Sequence, residues 1–267
     1  MTDRPDHFTP YHFTKGRGPI LVSMPHVGLD LPEDIAATLT EEARKLTDTD
    51  WYVDRLYDFL GDVDCSVIKA RYSRYVIDLN RGETGQALYP GMSETELCPT
   101  TGFGTEPLYL AGQVPGPEEV ARRKALYWQP YHDQIAAELA RIRQEFGFAI
   151  LWDAHSIQSH VPRFFDGRLP DLNLGTGNGV SCDPALAELL REIGEASDYS
   201  TILNGRFKGG YITRHYGDPA ANIHAVQMET SQITYMDEAP DFTFQEARAA
   251  RLRPVLKDMM RQCQAFF

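Results

Sequence analysis

The chain has 267 residues, and its 26 Lys plus Arg against 38 Asp plus Glu leave a formal charge of −12. A chain of this length can bury about 75% of its unfolded surface, and 42% apolar with 24% charged residues is a globular composition rather than a disordered or fibrous one. The negative balance disfavours general nucleic-acid binding, which needs clustered Lys and Arg, and no uncharged apolar run of about 18 residues is present to form a membrane span.

The opening MTDRPDHFTPYHF lacks the apolar centre of a signal peptide. Cys65, Cys98, Cys182 and Cys263 make no CxxC pair, so neither a zinc ribbon nor a disulfide framework is indicated. A cytoplasmic chain with reduced thiols is expected.

In chain order, Pro19 to Met24 reads as a buried strand. Asp30, Pro32 and Glu33 resemble a helix start, followed by Ile35, Leu39, Ala43 and Leu46 at spacings of 4, 4 and 3. A second helix is predicted from Asp50 to Leu60, and strands over 65–70 and 75–77. The stretch from Gly82 to Pro117, rich in Gly, Pro and Thr, reads as a long surface insertion, a kind of loop that is often functional. Tyr131, Ile135, Leu139, Ile142 and Phe146 form a helical stripe stopped by Gly147. Phe148 to Trp152 is a near-continuous apolar strand of the type buried in a largely parallel sheet. Leu186, Leu189, Leu190 and Ile193 mark another helix, His224 to Met228 another strand, and the last twenty residues return to helix. The alternation predicts one α/β domain over 1–267, its mostly parallel sheet covered by helices on both faces.

In such sheets ligands bind beyond the carboxyl ends of the strands. His26 follows the first strand, His155 the Trp152 strand, and Glu229 the Val226 strand. One strand-end histidine is most simply a hydrogen-bonded structural residue; two with a carboxylate on one rim point to a metal site. Catalytic zinc takes three ligands from His and carboxylate and keeps a fourth position open. Asp50 or Asp54, spaced i, i+4, could supply the carboxylate from one helical face, although acids there also suit a helix N-terminus. Asp153, two residues before His155 on the same strand face, could orient that imidazole.

A basic constellation stands against the acidic whole. Arg74, Asn80 and Arg81 flank one segment, and Arg206, Lys208 and Arg214 surround the Gly209-Gly210 pair. Arginine suits bidentate capture of carboxylates. Surface salt bridging accounts for any one of these; together they suggest a cationic pocket for a small anion.

Seven segments spread over nearly the whole chain resemble the N-formylglutamate amidohydrolase family: SMPHVG (23–28), TDTDWYVDRLYDF (47–59), YSRYVIDLNR (72–81), WDAHSI (152–157), LPDLNLGTGNG (169–179), NGRFKGGYITRHYG (204–217) and AVQMETSQITYM (225–236). That family is related to the aspartoacylases and zinc carboxypeptidases, whose HxxE ligand pair is missing here, since Leu29 stands three residues after His26. The resemblance implies a phosphorylase/hydrolase-like α/β fold and metal-dependent hydrolysis of N-formyl-L-glutamate to formate and L-glutamate, a step of histidine degradation. It implies one divalent ion, zinc before others, on His26, Asp50 and His155, with Asp54 the second choice to Asp50. Glu229 would be the general base and Arg74 would face the oxyanion. Asn80 and Arg81, in a DLNR segment resembling the aspartoacylase carboxylate site, would hold one substrate carboxylate. Arg206 and Arg214 are assigned the other because the substrate has two. The expected partner is thus a small dianion, with no nucleic acid or membrane, taken up by a monomer or small homo-oligomer. The alternatives are a deacylase of another N-acyl amino acid, such as an acylaspartate, and a formiminoglutamate hydrolase. The latter is disfavoured because Asp153-Ala154-His155-Ser156-Ile157 breaks its DxHxD cluster at the last position. A binding protein that kept the fold without catalysis is the non-enzymatic alternative.

Overall fold

The computed structural model describes residues 8–83 and 95–267. Seven strands form one sheet: β1 (Tyr11–Thr14), β2 (Ile20–Met24), β3 (Ser66–Ala70), β4 (Ala149–Ile157), β5 (Leu172–Gly175), β6 (Thr201–Leu203) and β7 (Ile223–Ser231), in the spatial order β1-β3-β2-β4-β7-β5-β6. The four central strands β3, β2, β4 and β7 run parallel. β1 is antiparallel to β3, and β5 to β7. The mixed, mostly parallel α/β sheet expected from the sequence is therefore present.

β2, β4 and β7 bury both faces, which is why they read as apolar runs rather than alternating ones, whereas β3 leaves Val67 and Lys69 half-buried. Ile150, Trp152 and Ala154 of β4 face a core shared with α5 (Pro184–Glu195) and α7 (Glu246–Ala265). Ala149 and Leu151 face the opposite core, built on Tyr131, Ile135, Leu139 and Ile142 of α4 (Gln129–Phe146). The predicted α4 stripe is buried at those four positions, and Gly147 ends the helix at φ 83°, in the left-handed region.

Four predictions need correction. The helix expected from Asp30 to Leu46 is one turn, α1 (Glu33–Ala36), and a separate 3-10 turn, Ala43–Lys45. The chain between them pairs elsewhere: Thr40 N–H donates to the Leu108 carbonyl and Leu110 N–H to that of Thr38. The stretch predicted as a surface insertion therefore belongs partly to the interior, with Leu97, Cys98, Leu108 and Tyr109 buried; its residues 84–94 lie outside the described part. The helix expected from Asp50 to Leu60 is a short α2 (Val53–Leu56) followed by a 3-10 turn, because Tyr52 at φ 59° breaks it at the front. Tyr75–Ile77 forms a turn closed by Val76 N–H on the Ser73 carbonyl, not a strand. Three elements were not anticipated on the helical side: α3 (Pro117–Arg123), a π-helical stretch Lys124–Trp128 leading into α4, and α6 (Tyr211–Tyr216). Among the described residues no helix is long and apolar enough to cross a membrane.

The loop after β2 is set by close backbone approach at Gly28. A Cβ there would lie 2.3 Å from the Tyr72 carbonyl oxygen and 2.7 Å from the Arg71 carbonyl carbon. Gly28→Ala should therefore push the His26 loop off the end of β3 and cost about 1–3 kcal/mol, read as a lower urea midpoint.

Candidate active site

β4 and β7 place the chemistry. Their parallel register aligns Asp153 with Gln227 and His155 with Glu229. Alternation along a strand sends all four side chains to one face. This is the face that carries Ala149 and Leu151 lower down against α4, so it turns from apolar to polar near the carboxyl ends of the strands. His26 arrives just past the end of β2, and the turn after it is tied down by Asp50 N–H donating to the His26 carbonyl.

The two imidazoles are held alike. His26 Nε2 lies 2.8 Å from Asp78 Oδ1, and His155 Nε2 lies 3.1 Å from Asp153 Oδ2. Asp78 accepts the Nε2 hydrogen of His26, and on both rings the other nitrogen, Nδ1, faces one oxygen, Asp50 Oδ2. The distances are 3.6 Å from His26 and 3.1 Å from His155. Nδ1 of His26 is buried and has no hydrogen-bond partner among the described residues. One ligand atom from each of His26, Asp50 and His155, all three residues buried and the atoms within 4.8 Å of one another, could hold a metal ion. The orphaned nitrogen and the carboxylates behind both rings fit such an ion, because oriented imidazoles with a carboxylate are the usual donor set of a catalytic divalent metal.

Electrostatics agree with the geometry. Burial alone would raise the Asp50 carboxyl, but hydrogen bonds and charge from His155 and His26 hold it well below its ordinary value. Burial would lower His155, yet Asp153 and Asp50 keep it well above the ordinary imidazole value. Asp78 is opposed by burial and held low chiefly by Arg74 and then His26; the Arg74 guanidinium donates to Asp78 Oδ2 at 2.6 Å. Among the described residues Glu229 has no such ion pair. Burial drives its carboxyl well above the ordinary value, and its one side-chain hydrogen bond among the described residues comes from Gln227 Nε2 at 3.1 Å.

His26, Asp50, Arg74, Asn80, Arg81, His155, Arg206 and Glu229, all singled out from the sequence, line one cavity. Arg214 is not among its lining residues. The turn of α6 directs its Nε to the Gly209 carbonyl at 2.7 Å, where it braces the loop behind the cavity. Of the two candidate acids, Asp50 lies beside both histidines, whereas Asp54 is half-exposed and ion-paired with Lys69 at 3.0 Å. Asn80 is more committed than a free carboxylate ligand would be. Its Oδ1 accepts from Ile212 N–H at 2.8 Å and its Nδ2 lies 3.0 Å from His155 Nε2.

Gln227 and Asp78 were missed, although period-two spacing from Glu229 and i, i+4 spacing from Arg74 signalled them. Phe103, Phe164 and Phe207 also line the cavity, and no local pattern marked them. Phe103 N–H is held by Asp48 Oδ2 at 2.9 Å, and its ring lies under the Arg74 guanidinium, 4.8 Å from the centroid.

These features define an α/β enzyme with its polar cavity on the carboxyl rim of a mostly parallel sheet. The chain belongs to the N-formylglutamate amidohydrolase family, whose profile matches residues 18–236. It is 53% identical over 255 residues to the N-formylglutamate deformylase of Pseudomonas putida, covering 95% of each chain. It is 52% identical to the Pseudomonas aeruginosa protein of that name, covering 95% of this chain and 96% of the other. The crystal structure of an N-formylglutamate amidohydrolase from Ralstonia eutropha superposes with a TM-score of 0.80 at 24% identity, covering 96% of this chain and 97% of that one, which establishes the fold.

Two measurements test the site. Asp50→Asn should abolish stoichiometric binding of a divalent ion, measured by metal analysis after dialysis, while Asp54→Asn should retain it. Arg74→Met strands a buried carboxylate at Asp78 and should cost about 3 kcal/mol at neutral pH. Because Asp78 is depressed below 3.8 in the folded chain, its paired charge stabilises above that pH and the benefit disappears as pH falls through it. The gap in urea midpoint between wild type and Arg74→Met should therefore narrow on acidification.

Proposed function

We propose that the protein hydrolyses N-formyl-L-glutamate to formate and L-glutamate, using one divalent ion, zinc first, on His26, Asp50 and His155. The observation that carries the metal-dependent chemistry is the shared presentation of two Nδ1 atoms to Asp50, with Glu229 one strand away in the same cavity. The substrate follows from relatives of 52–53% identity named N-formylglutamate deformylase.

An ion bound there would supply Lewis acidity, polarising a formyl carbonyl and making water acidic near neutral pH. Glu229 is the base. Its carboxyl takes a proton from the attacking water and returns it to the glutamate nitrogen as the C–N bond breaks. A carboxyl with a raised proton affinity suits both halves of that exchange. Arg74, fixed by Asp78, faces the charge that develops on the formyl oxygen without needing to reorganise. Arg81 and Arg206 offer cations to the two substrate carboxylates, with Asn80 beside Arg81. Lined by Phe164 and Phe207, the guanidinium of Arg206 lies 5.6 and 5.3 Å from their ring centroids, an apolar setting in which an ion pair is strengthened.

This reading takes the partner to be a small dianion, neither nucleic acid nor membrane. It puts the enzyme in the cytoplasm, in histidine degradation, as a monomer or small homo-oligomer. Hydrolysis of another N-acyl amino acid is the competing activity.

Formate release from a panel of N-formyl and N-acetyl amino acids, with and without chelator, decides among these. N-formylglutamate should be the best substrate and chelation should stop turnover; preference for an acetylated substrate would overturn the assignment. Glu229→Gln should retain the metal while kcat drops at least about a hundredfold, and a near wild-type rate would remove Glu229 from the role. Arg206→Ala should raise KM for N-formylglutamate about tenfold or more.

A further inference from the structure

Leu79, Asn80 and Arg81 cross the cavity as a turn, outside any strand or helix. Side chains supply hydrogen-bond donors to its three consecutive carbonyls. His132 Nε2 lies 2.9 Å from the Leu79 oxygen, Arg81 Nη1 donates to the Asn80 oxygen at 3.2 Å, and Trp128 Nε1 donates to the Arg81 oxygen at 3.0 Å. Asp78 Oδ1 accepts the Asn80 N–H at 2.8 Å. Buried backbone groups need partners, and here two of them come from one helical face four residues apart.

The ring of His132 stacks on Trp128 with centroids 3.8 Å apart. The Leu79 carbonyl can only accept, so Nε2 of His132 carries the hydrogen; Nδ1 lies 2.9 Å from the Tyr216 hydroxyl, which also donates to the His132 carbonyl at 3.0 Å. Trp128 closes the π-helical stretch Lys124–Trp128. The extra residue of such a stretch rotates everything after it and is frequent near functional sites. In this chain it brings Trp128 and His132 into phase with the turn.

We propose that Trp128 and His132 are positioning residues for substrate binding: they fix the Leu79–Arg81 turn, and through it aim the Arg81 guanidinium and Asn80 amide into the cavity. The assignment rests on the dicarboxylate substrate proposed above. Neither side chain lines the cavity, so both act through the turn.

Trp128→Phe keeps the ring and loses the donor, His132→Leu loses the donor, and His132→Gln keeps one. Formate release from N-formylglutamate should show KM raised about tenfold by Trp128→Phe and by His132→Leu, the weight of one hydrogen bond. kcat should stay within about threefold of wild type, and His132→Gln should recover most of the KM loss. The Kd of glutarate, an unreactive dicarboxylate measured by calorimetry, should rise by the same factor. Unchanged KM and Kd with a lowered Tm would make both residues mere core packing and overturn the proposal, as would a loss confined to kcat. Wild-type turnover separates the two readings. If the wild type binds glutarate without hydrolysing N-formylglutamate, the assigned activity fails and the glutarate constants alone decide on the turn. If it does neither, both fall.

Discussion

Asp78 carries a buried carboxylate at the centre of the site, and much of the surrounding arrangement follows from keeping it charged. One oxygen takes the Arg74 guanidinium and the other meets His26 Nε2 and the Asn80 amide. An unpaired carboxylate in that position would be prohibitively costly. The same contacts settle which nitrogen of His26 faces Asp50, hold the turn that bears Asn80, and fix Arg74 on the cavity wall. A single ionised group thereby couples a histidine, a cation and a backbone turn from three separate stretches of chain.

Around it the site sorts charge by distance. Asp50 and Asp78 are close to imidazoles or a guanidinium and are held in the ionised form, whereas Glu229, bonded among the described residues to the Gln227 amide, is pushed toward its neutral form by burial. Two carboxyl behaviours on one sheet rim are what a site needs to hold a cation with one set of acids and to move a proton with another. The net charge of −12 resides mainly elsewhere. At the cavity, Arg74, Arg81 and Arg206 gather positive charge beside Asp50 and Glu229.

The sequence was most legible where periodicity and strand ends coincide. The apolar runs ending at Trp152 and Met228 located β4 and β7, and reading past their ends found His155 and Glu229, which proved to lie within longer strands. The α4 stripe was equally clear, because its buried positions repeat every three or four residues. Where pairing is non-local, the pattern misled. Apolar spacing over Ile35–Leu46 looks helical, yet Thr38 and Thr40 pair with residues 108–110. Tyr75–Ile77 is apolar because it packs under the site, not because it extends. The short strands β1, β5 and β6 carry too few residues for a periodic signal. The aromatic wall was hidden for a related reason: Phe103 reaches the cavity through a contact with Asp48, fifty-five residues away in sequence, and no local rule records such a meeting.

The paired register of β4 and β7 has an evolutionary corollary. Nine consecutive positions are matched one to one between these strands, and successive side chains alternate between a polar site and an apolar core. Losing or gaining one residue in either strand would swap His155 for Trp152-type surroundings or turn Glu229 into the helical layer. Lineages descending from this chain can therefore vary the connections between β4 and β7 only away from Phe164, Arg206 and Phe207, which line the cavity, whereas an indel inside either strand would dismantle it in a single step.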